Sequence, residues 1–105
     1  MQNEPSALKK FAPDVFEYLT TIPKGKVTTY GQIARDLFLS TPRLVGKILH
    51  QNPDSSQFPC HRVVFSDGRL APGYAFGGAK VQEQKLRAEG VIFKKNKVDL
   101  SKCLF

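Results

Sequence analysis

The sequence predicts a mainly α-helical domain with a small β-hairpin wing, the arrangement of a winged helix-turn-helix. Three observations support that fold class. Apolar residues recur at helical spacing in three segments: Val15, Phe16, Leu19, Ile22; then Ile33, Ala34, Leu37, Phe38; then Leu44, Val45, Ile48, Leu49. A tight Ser40-Thr41-Pro42 turn separates the second segment from the third. The strand-forming run Val63-Val64-Phe65 leads to Asp67-Gly68, a dipeptide suited to the positive φ of a hairpin turn. A length of 105 residues fits one domain, and 41% hydrophobic residues suffice for one modest core.

Each element has a local reason. Residues 1–10 are polar and are expected to form a flexible N-terminus, with 11–105 as the single domain. The first helix is expected near Pro13-Asp14, because proline is tolerated at a helix start and aspartate suits its positive end. Pro23-Lys24-Gly25-Lys26 ends it, and Lys26–Tyr30 is extended. Thr29 caps the second helix. Thr41 caps a third that begins at Pro42 and runs to about His50, with Arg43 and Lys47 on its polar face. Leu70 begins the return strand of the hairpin. A last helix spans Ala79 to Glu89 and stops at Gly90, and Val91–Phe105 forms a short edge strand and a loose end.

Composition narrows the function. Sixteen Lys and Arg against nine Asp and Glu give a net charge of +7, which favours a polyanionic partner, nucleic acid first. No apolar run is long enough to span a bilayer, and Met1–Asp14 lacks the apolar stretch of a secretion signal. Cys60 and Cys103 form neither a disulfide scaffold nor a zinc-ligand spacing, so free thiols in a reducing cytoplasm are expected. The glycine-rich Pro72–Gly78 lacks the terminal Gly-Lys-Ser/Thr of a phosphate loop, which excludes that mode of nucleotide binding. No cofactor and no metal are expected.

Cys60 is the candidate nucleophile. It lies between a polar loop, Gln51–Ser56, and an apolar strand, directly before His61 and Arg62. A thiol reacts as its thiolate, and a histidine can take its proton if a third group orients the ring. Glu89 and Asp67 both fit that role chemically. Neighbours on an extended strand point to opposite faces, so Cys60 and His61 need a bend or a bridging water to cooperate. Cys103 has no such surroundings.

Pro59-Cys60-His61-Arg62-Val63 resembles the active-site signature of the O6-alkylguanine-DNA alkyltransferases, the methylated-DNA–protein-cysteine methyltransferases. The run Ile22–Ala34 resembles the lead-in to their helix-turn-helix, and Arg43-Leu44-Val45-Gly46 the start of their recognition helix. Asn52-Pro53, Gly73-Tyr74-Ala75, Gly77-Gly78 and Glu89-Gly90 follow in the same order, so the resemblance covers roughly residues 12 to 92. It corresponds to the family's C-terminal domain alone.

The resemblance implies roles. Cys60 would accept the alkyl group, with a lowered thiol pKa as the main catalytic contribution. His61 would act as its base through a water, Glu89 would hold the imidazole, and Asn52 would brace the active-site turn. Tyr30 would meet the phosphate of the flipped nucleotide and stabilise the leaving guanine. Arg43 would fill the vacated space, and Gly46 would let the helix approach the minor groove. Lys24, Lys26, Arg35 and Lys47 would contact phosphates. Val64, Tyr74, Ala75 and Phe76 would line the alkyl and guanine pocket, with Phe76 an addition to the family's pattern. The implied partner is double-stranded DNA containing O6-alkylguanine, met by a monomer. The resemblance also extends to the single-domain alkyltransferase-like proteins, which bind such DNA without repairing it and engage nucleotide excision repair proteins. Those relatives usually lack the cysteine. A general winged-helix DNA-binding protein is the remaining alternative.

Overall fold

Two threonine caps set the frame of the helix-turn-helix. In the computed structural model, which describes residues 4–105 and side chains from Leu8 onward, Thr29 Oγ1 accepts from Gln32 N at 3.0 Å and starts α2, Tyr30–Asp36. Thr41 Oγ1 accepts from Leu44 N at 3.3 Å and starts α3, Pro42–Leu49, with Pro42 in its first turn. Both caps stand where the sequence places them.

The first helix, α1, runs from Glu4 to Leu19 and carries Pro13 in its interior. The expected start at Pro13 is therefore corrected. Residues 4–10, expected within the flexible N-terminus, are helical; residues 1–3 lie outside the described residues. Proline removes one backbone hydrogen bond, but Leu8, Phe11 and Ala12 continue the apolar stripe of Val15 and Leu19 onto the same core.

Phe38, expected in the buried stripe of α2, is 92% exposed. The helix ends in a Schellman turn, with Leu39 N donating to Ala34 O at 2.8 Å and Phe38 N to Arg35 O at 3.3 Å. Phe38 takes the left-handed position, φ +58°, and points outward so that Leu39 can turn in.

The wing differs from expectation. Residues Cys60–Arg62 form one 3₁₀ turn, followed by the strand Val63–Val64. That strand, β2, pairs in parallel with β1, Thr28–Thr29, in the register Thr28↔Val63 and Thr29↔Val64. Pairing there buries both valines completely, which a surface hairpin with Leu70 would not do. The expected turn forms, closed by Gly68 N to Phe65 O at 2.8 Å, but its return leg does not become a strand. Gly68, φ +90°, instead lies so close to the tail that any Cβ would collide with the Val98 carbonyl oxygen.

Helix α4 spans Gly78–Ala88. The tail is ordered into β3, Phe93–Lys94, antiparallel to β4, Lys97–Val98, and then α5, Leu100–Cys103. Lys95 and Asn96 both have positive φ, the signature of a two-residue hairpin turn. Phe105 N donates to Val27 O at 2.7 Å, so the expected loose end is tied beside β1. Val63 joins the large core of α1, α2 and α3, whereas Val64 joins a smaller one with Val27, Leu86, Val91, Val98 and Cys103. The two faces of β2 thus join the helix-turn-helix to the tail.

Candidate functional site

The site is built on the 3₁₀ turn, which carries Cys60 and His61 on bent rather than extended backbone. Asn52 braces the loop before it, with Nδ2 donating to Phe58 O at 2.7 Å and Oδ1 accepting from Asp54 N at 2.9 Å. Its side chain also lies near enough to Cys60 to favour the thiolate. Behind the turn, fully buried Gln82 of α4 donates to the carbonyls of His61 and Val63, each at 3.0 Å, and accepts from Ala71 N at 2.9 Å. Every polar atom of that amide group meets a backbone partner, so the turn is held from both sides.

The open choice between Glu89 and Asp67 resolves to Glu89. Its Oε2 lies 3.0 Å from His61 Nε2, and Arg62 clamps the same carboxylate through Nε at 3.0 Å and Nη2 at 2.8 Å. The third arm of Arg62, Nη1, donates to Ile22 O at 2.6 Å and anchors the cluster to the end of α1. Asp67 pairs with Arg69 on the exposed turn.

Electrostatics follow from this geometry. Burial pushes the Glu89 carboxyl up, but hydrogen bonds from Arg62 and His61 outweigh it and hold the pKa below the usual range. Burial holds His61 below its usual value against the pull of Glu89, so the neutral ring is favoured. A neutral ring facing a carboxylate carries its hydrogen on Nε2. Nδ1, buried and without a hydrogen-bond partner, is then the proton acceptor. Burial pushes the Cys60 thiol up, beyond what Asn52 and Lys85 pull down. This corrects the expected lowering of the thiol pKa: the resting site holds a thiol, and a base must take its proton. Burial, and beyond it the charge that Cys60 carries once ionised, push Tyr30 up to about 12, leaving a neutral phenol that can donate.

Cys60 faces a chamber of about 30 Å³ with Tyr30, Gly46, Leu49, His50, Gly73, Tyr74 and Ala75. Tyr30, Gly46, His50 and Gly73 also line an apolar cavity of about 370 Å³, together with Pro42, Arg43, Lys47, Phe65 and Ala71. That volume lies in the range of small-molecule sites. The structure therefore brings Tyr30, Arg43, Gly46 and Lys47 to one opening above Cys60. Lys24, Lys26 and Arg35 do not line it; Lys26 Nζ donates to Lys102 O at 3.3 Å, and Arg35 pairs with Gln32 at 2.7 Å.

Two pocket residues need correction. Val64 lies in the smaller core because alternate strand residues face opposite sides, and it lines neither cavity. Phe76 stands behind the chamber wall, its ring 5.9 Å from that of Tyr74. Sequence reasoning assigned no role to Arg62, Gln82, His50, Phe65 or Lys85. Only Arg62 had a signal, its place beside the Pro-Cys-His run.

Comparison with known proteins gives these features a family. Residues 10–91 match the family model for the 6-O-methylguanine DNA methyltransferase, DNA binding domain. The chain is 44% identical over 90 residues to a methylated-DNA–protein-cysteine methyltransferase of Saccharolobus solfataricus, covering 84% of this chain and 57% of that one. It is 38% identical over 87 residues to a DNA base-flipping protein of Vibrio parahaemolyticus, covering 80% of this chain and 83% of the relative. The crystal structure of S. pombe Atl1 in complex with damaged DNA containing O6-carboxymethylguanine superposes with a TM-score of 0.81 at 29% identity, covering 100% of this chain and 98% of that one. The chain spans little more than half the length of the Saccharolobus protein. Because the family match runs from α1 past the end of α4, taking in both the helix-turn-helix and the cysteine turn, the chain belongs to the DNA-binding-domain family of the 6-O-methylguanine DNA methyltransferases.

Proposed function

We propose that this domain transfers the alkyl group of O6-alkylguanine in double-stranded DNA to Cys60, once and irreversibly, acting as a monomer in the cytoplasm. The observation that carries the reading is the Cys60 thiol facing an open chamber, on one turn with a His61 ring held by Glu89 and keeping Nδ1 as proton acceptor. The reacting carbon lies inside the stack, so the nucleotide must rotate out before a protein thiol can reach it. The larger cavity offers room at the mouth of the chamber, with Arg43 and Lys47 on its rim. A Cβ on Gly46 would come no closer than 3.9 Å to Tyr30 within this chain. Internal packing thus does not demand glycine there, which supports close approach of α3 to a partner in the minor groove.

In this mechanism His61 Nδ1 takes the thiol proton through a bridging water, and Glu89 stabilises the resulting imidazolium. The thiolate attacks the alkyl carbon; the S–C bond forms as the C–O6 bond breaks. The electron pair leaves with guanine, to which the Tyr30 phenol, a wall of the chamber, would donate a hydrogen bond. Nothing in the site removes the alkyl group from the thioether, so each molecule acts once. Proximity inside the chamber supplies the remaining acceleration.

A second reading is favoured by the near-complete overlap with S. pombe Atl1, against partial coverage of the Saccharolobus methyltransferase. In that reading the domain binds alkylated DNA and flags it for nucleotide excision repair proteins without reacting. Incubation with a duplex carrying radiolabelled O6-methylguanine separates the two. Transfer predicts label on the protein reaching one equivalent per chain and then stopping, with Cys60→Ser binding the duplex but taking no label. Tight binding of the lesion with no label on the wild-type chain would establish the sensor instead.

A further inference from the structure

Helix α4 presents Gln82, Lys85, Leu86 and Glu89 along one stripe, at the three- and four-residue spacing of a single helix face. Gln82 and Glu89 both bond the cysteine turn. Lys85 lies between them and, unlike a solvated surface lysine, is half-buried. Its Nζ donates to Tyr74 Oη at 2.8 Å and reaches Ser55 Oγ at 3.5 Å. The ammonium also lies 5.3 Å from the centroid of the Tyr74 ring and 5.6 Å from that of Phe76. Among the described residues no carboxylate pairs with it, because Glu89 is taken by Arg62 and His61. An unneutralised cation is thereby fixed behind Tyr74, which is itself a wall of the Cys60 chamber.

We propose that Lys85 is a positioning residue of the reaction centre, orienting the Tyr74 phenol and supplying the thiolate of Cys60 with a cation separate from the His61–Glu89–Arg62 network. Because Nζ donates to Tyr74 Oη, the phenol keeps its own hydrogen free to donate. Several groups surround the thiol: His61 and Arg62 from its own turn, Tyr30 from α2, His50 just after α3, Asn52 and Tyr74 from loops, and Lys85 and Glu89 from α4 and its cap. Of these, Lys85 is the only ammonium, and Arg62 is already matched by Glu89. A fixed opposite charge favours the thiolate. The same placement accounts for Phe76: its ring backs Tyr74 and faces the ammonium instead of filling the chamber.

The consequence for alkyl transfer rests on the proposed function, but the electrostatic claim is testable without DNA. The probe is iodoacetamide, with modification of the Cys60 peptide followed by mass spectrometry as a function of pH on the full chain. Lys85→Met and Lys85→Gln should each move the midpoint of Cys60 alkylation up by about one pH unit. Lys85→Arg, which keeps the charge, should stay within a few tenths of wild type. Glutamine retains a donor for Tyr74, so it isolates the charge if the methionine variant folds poorly. A Lys85→Gln profile superimposed on wild type would overturn the proposal, as would an arginine variant shifted as far as glutamine. Absence of methyl transfer in the wild type alongside the predicted shifts would remove the repair reading and leave the Lys85 assignment standing.

Discussion

Cys60 and Cys103 are buried almost equally, at 4% and 2% exposure, and both are free thiols. Their surroundings differ entirely. Cys103 ends α5 in the small core, where its sulfur accepts from Ile92 N at 3.2 Å and its carbonyl accepts from Val27 N at 2.9 Å. It fastens the tail to β1. Cys60 also contributes to a core, but one side of it faces a chamber and the rest meets Asn52 and the influence of Lys85. Burial alone does not make a thiol functional. What separates the two is access to a cavity and, one residue on, the His61–Glu89 pair on which the proposed route for the proton depends.

Removing that route should have the largest effect. Glu89→Gln leaves the Arg62 charge without its carboxylate and frees the His61 ring to choose either tautomer. Unfolding by urea should show a loss of about 2–3 kcal/mol, since one partner of a mostly buried ion pair is gone. The rate of methyl transfer should fall by about 100-fold, the usual weight of a positioned base. Cys103→Ala should cost less, about 1–2 kcal/mol for a small cavity, and leave the transfer rate of the folded protein unchanged. A slowed rate in that variant would break the distinction between the two thiols.

The smallest effect is on pH dependence. Both His61 and Glu89 have folded pKa values below their usual 6.5 and 4.5. The unfolded chain therefore binds protons first as pH falls, and stability decreases with acid. The His61 contribution is complete above pH 6.5 and is lost as pH falls below it toward the lower folded value; the Glu89 contribution is lost only below pH 4.5. Melting temperature should thus drop between pH 7.5 and 5.5, and less steeply in His61→Gln. An equal slope in that variant would show that His61 is not held neutral by burial.

The parts of the molecule set by neighbours in sequence were legible in advance. Thr29 and Thr41 cap as their side chains and following residues require, and Gly90 stops α4 with φ +89°. What depends on distant partners was not. Val63-Val64-Phe65 reads equally well as a hairpin arm or a buried parallel strand, and only packing against β1 decides between them. Val64 faces away from the chamber for the same reason. Phe38 follows the helical period yet falls where α2 has already ended, so the Schellman turn throws it outward. The chemistry of the Cys-His pair asked for a third group without choosing one; Glu89 came from family resemblance, and α4 delivers it. Lys85 had no signal, because a lysine on an amphipathic helix reads as solvated charge until Tyr74 is seen beside it.

Mass mapping of both cysteine peptides after incubation with duplex DNA containing O6-methylguanine tests the central claim most directly. Transfer to Cys60 predicts a gain of about 14 Da, the net addition of one methylene, on the Cys60 peptide, with the Cys103 peptide unchanged. An unmodified Cys60 peptide under conditions of demonstrated lesion binding, or a gain on Cys103, would contradict it.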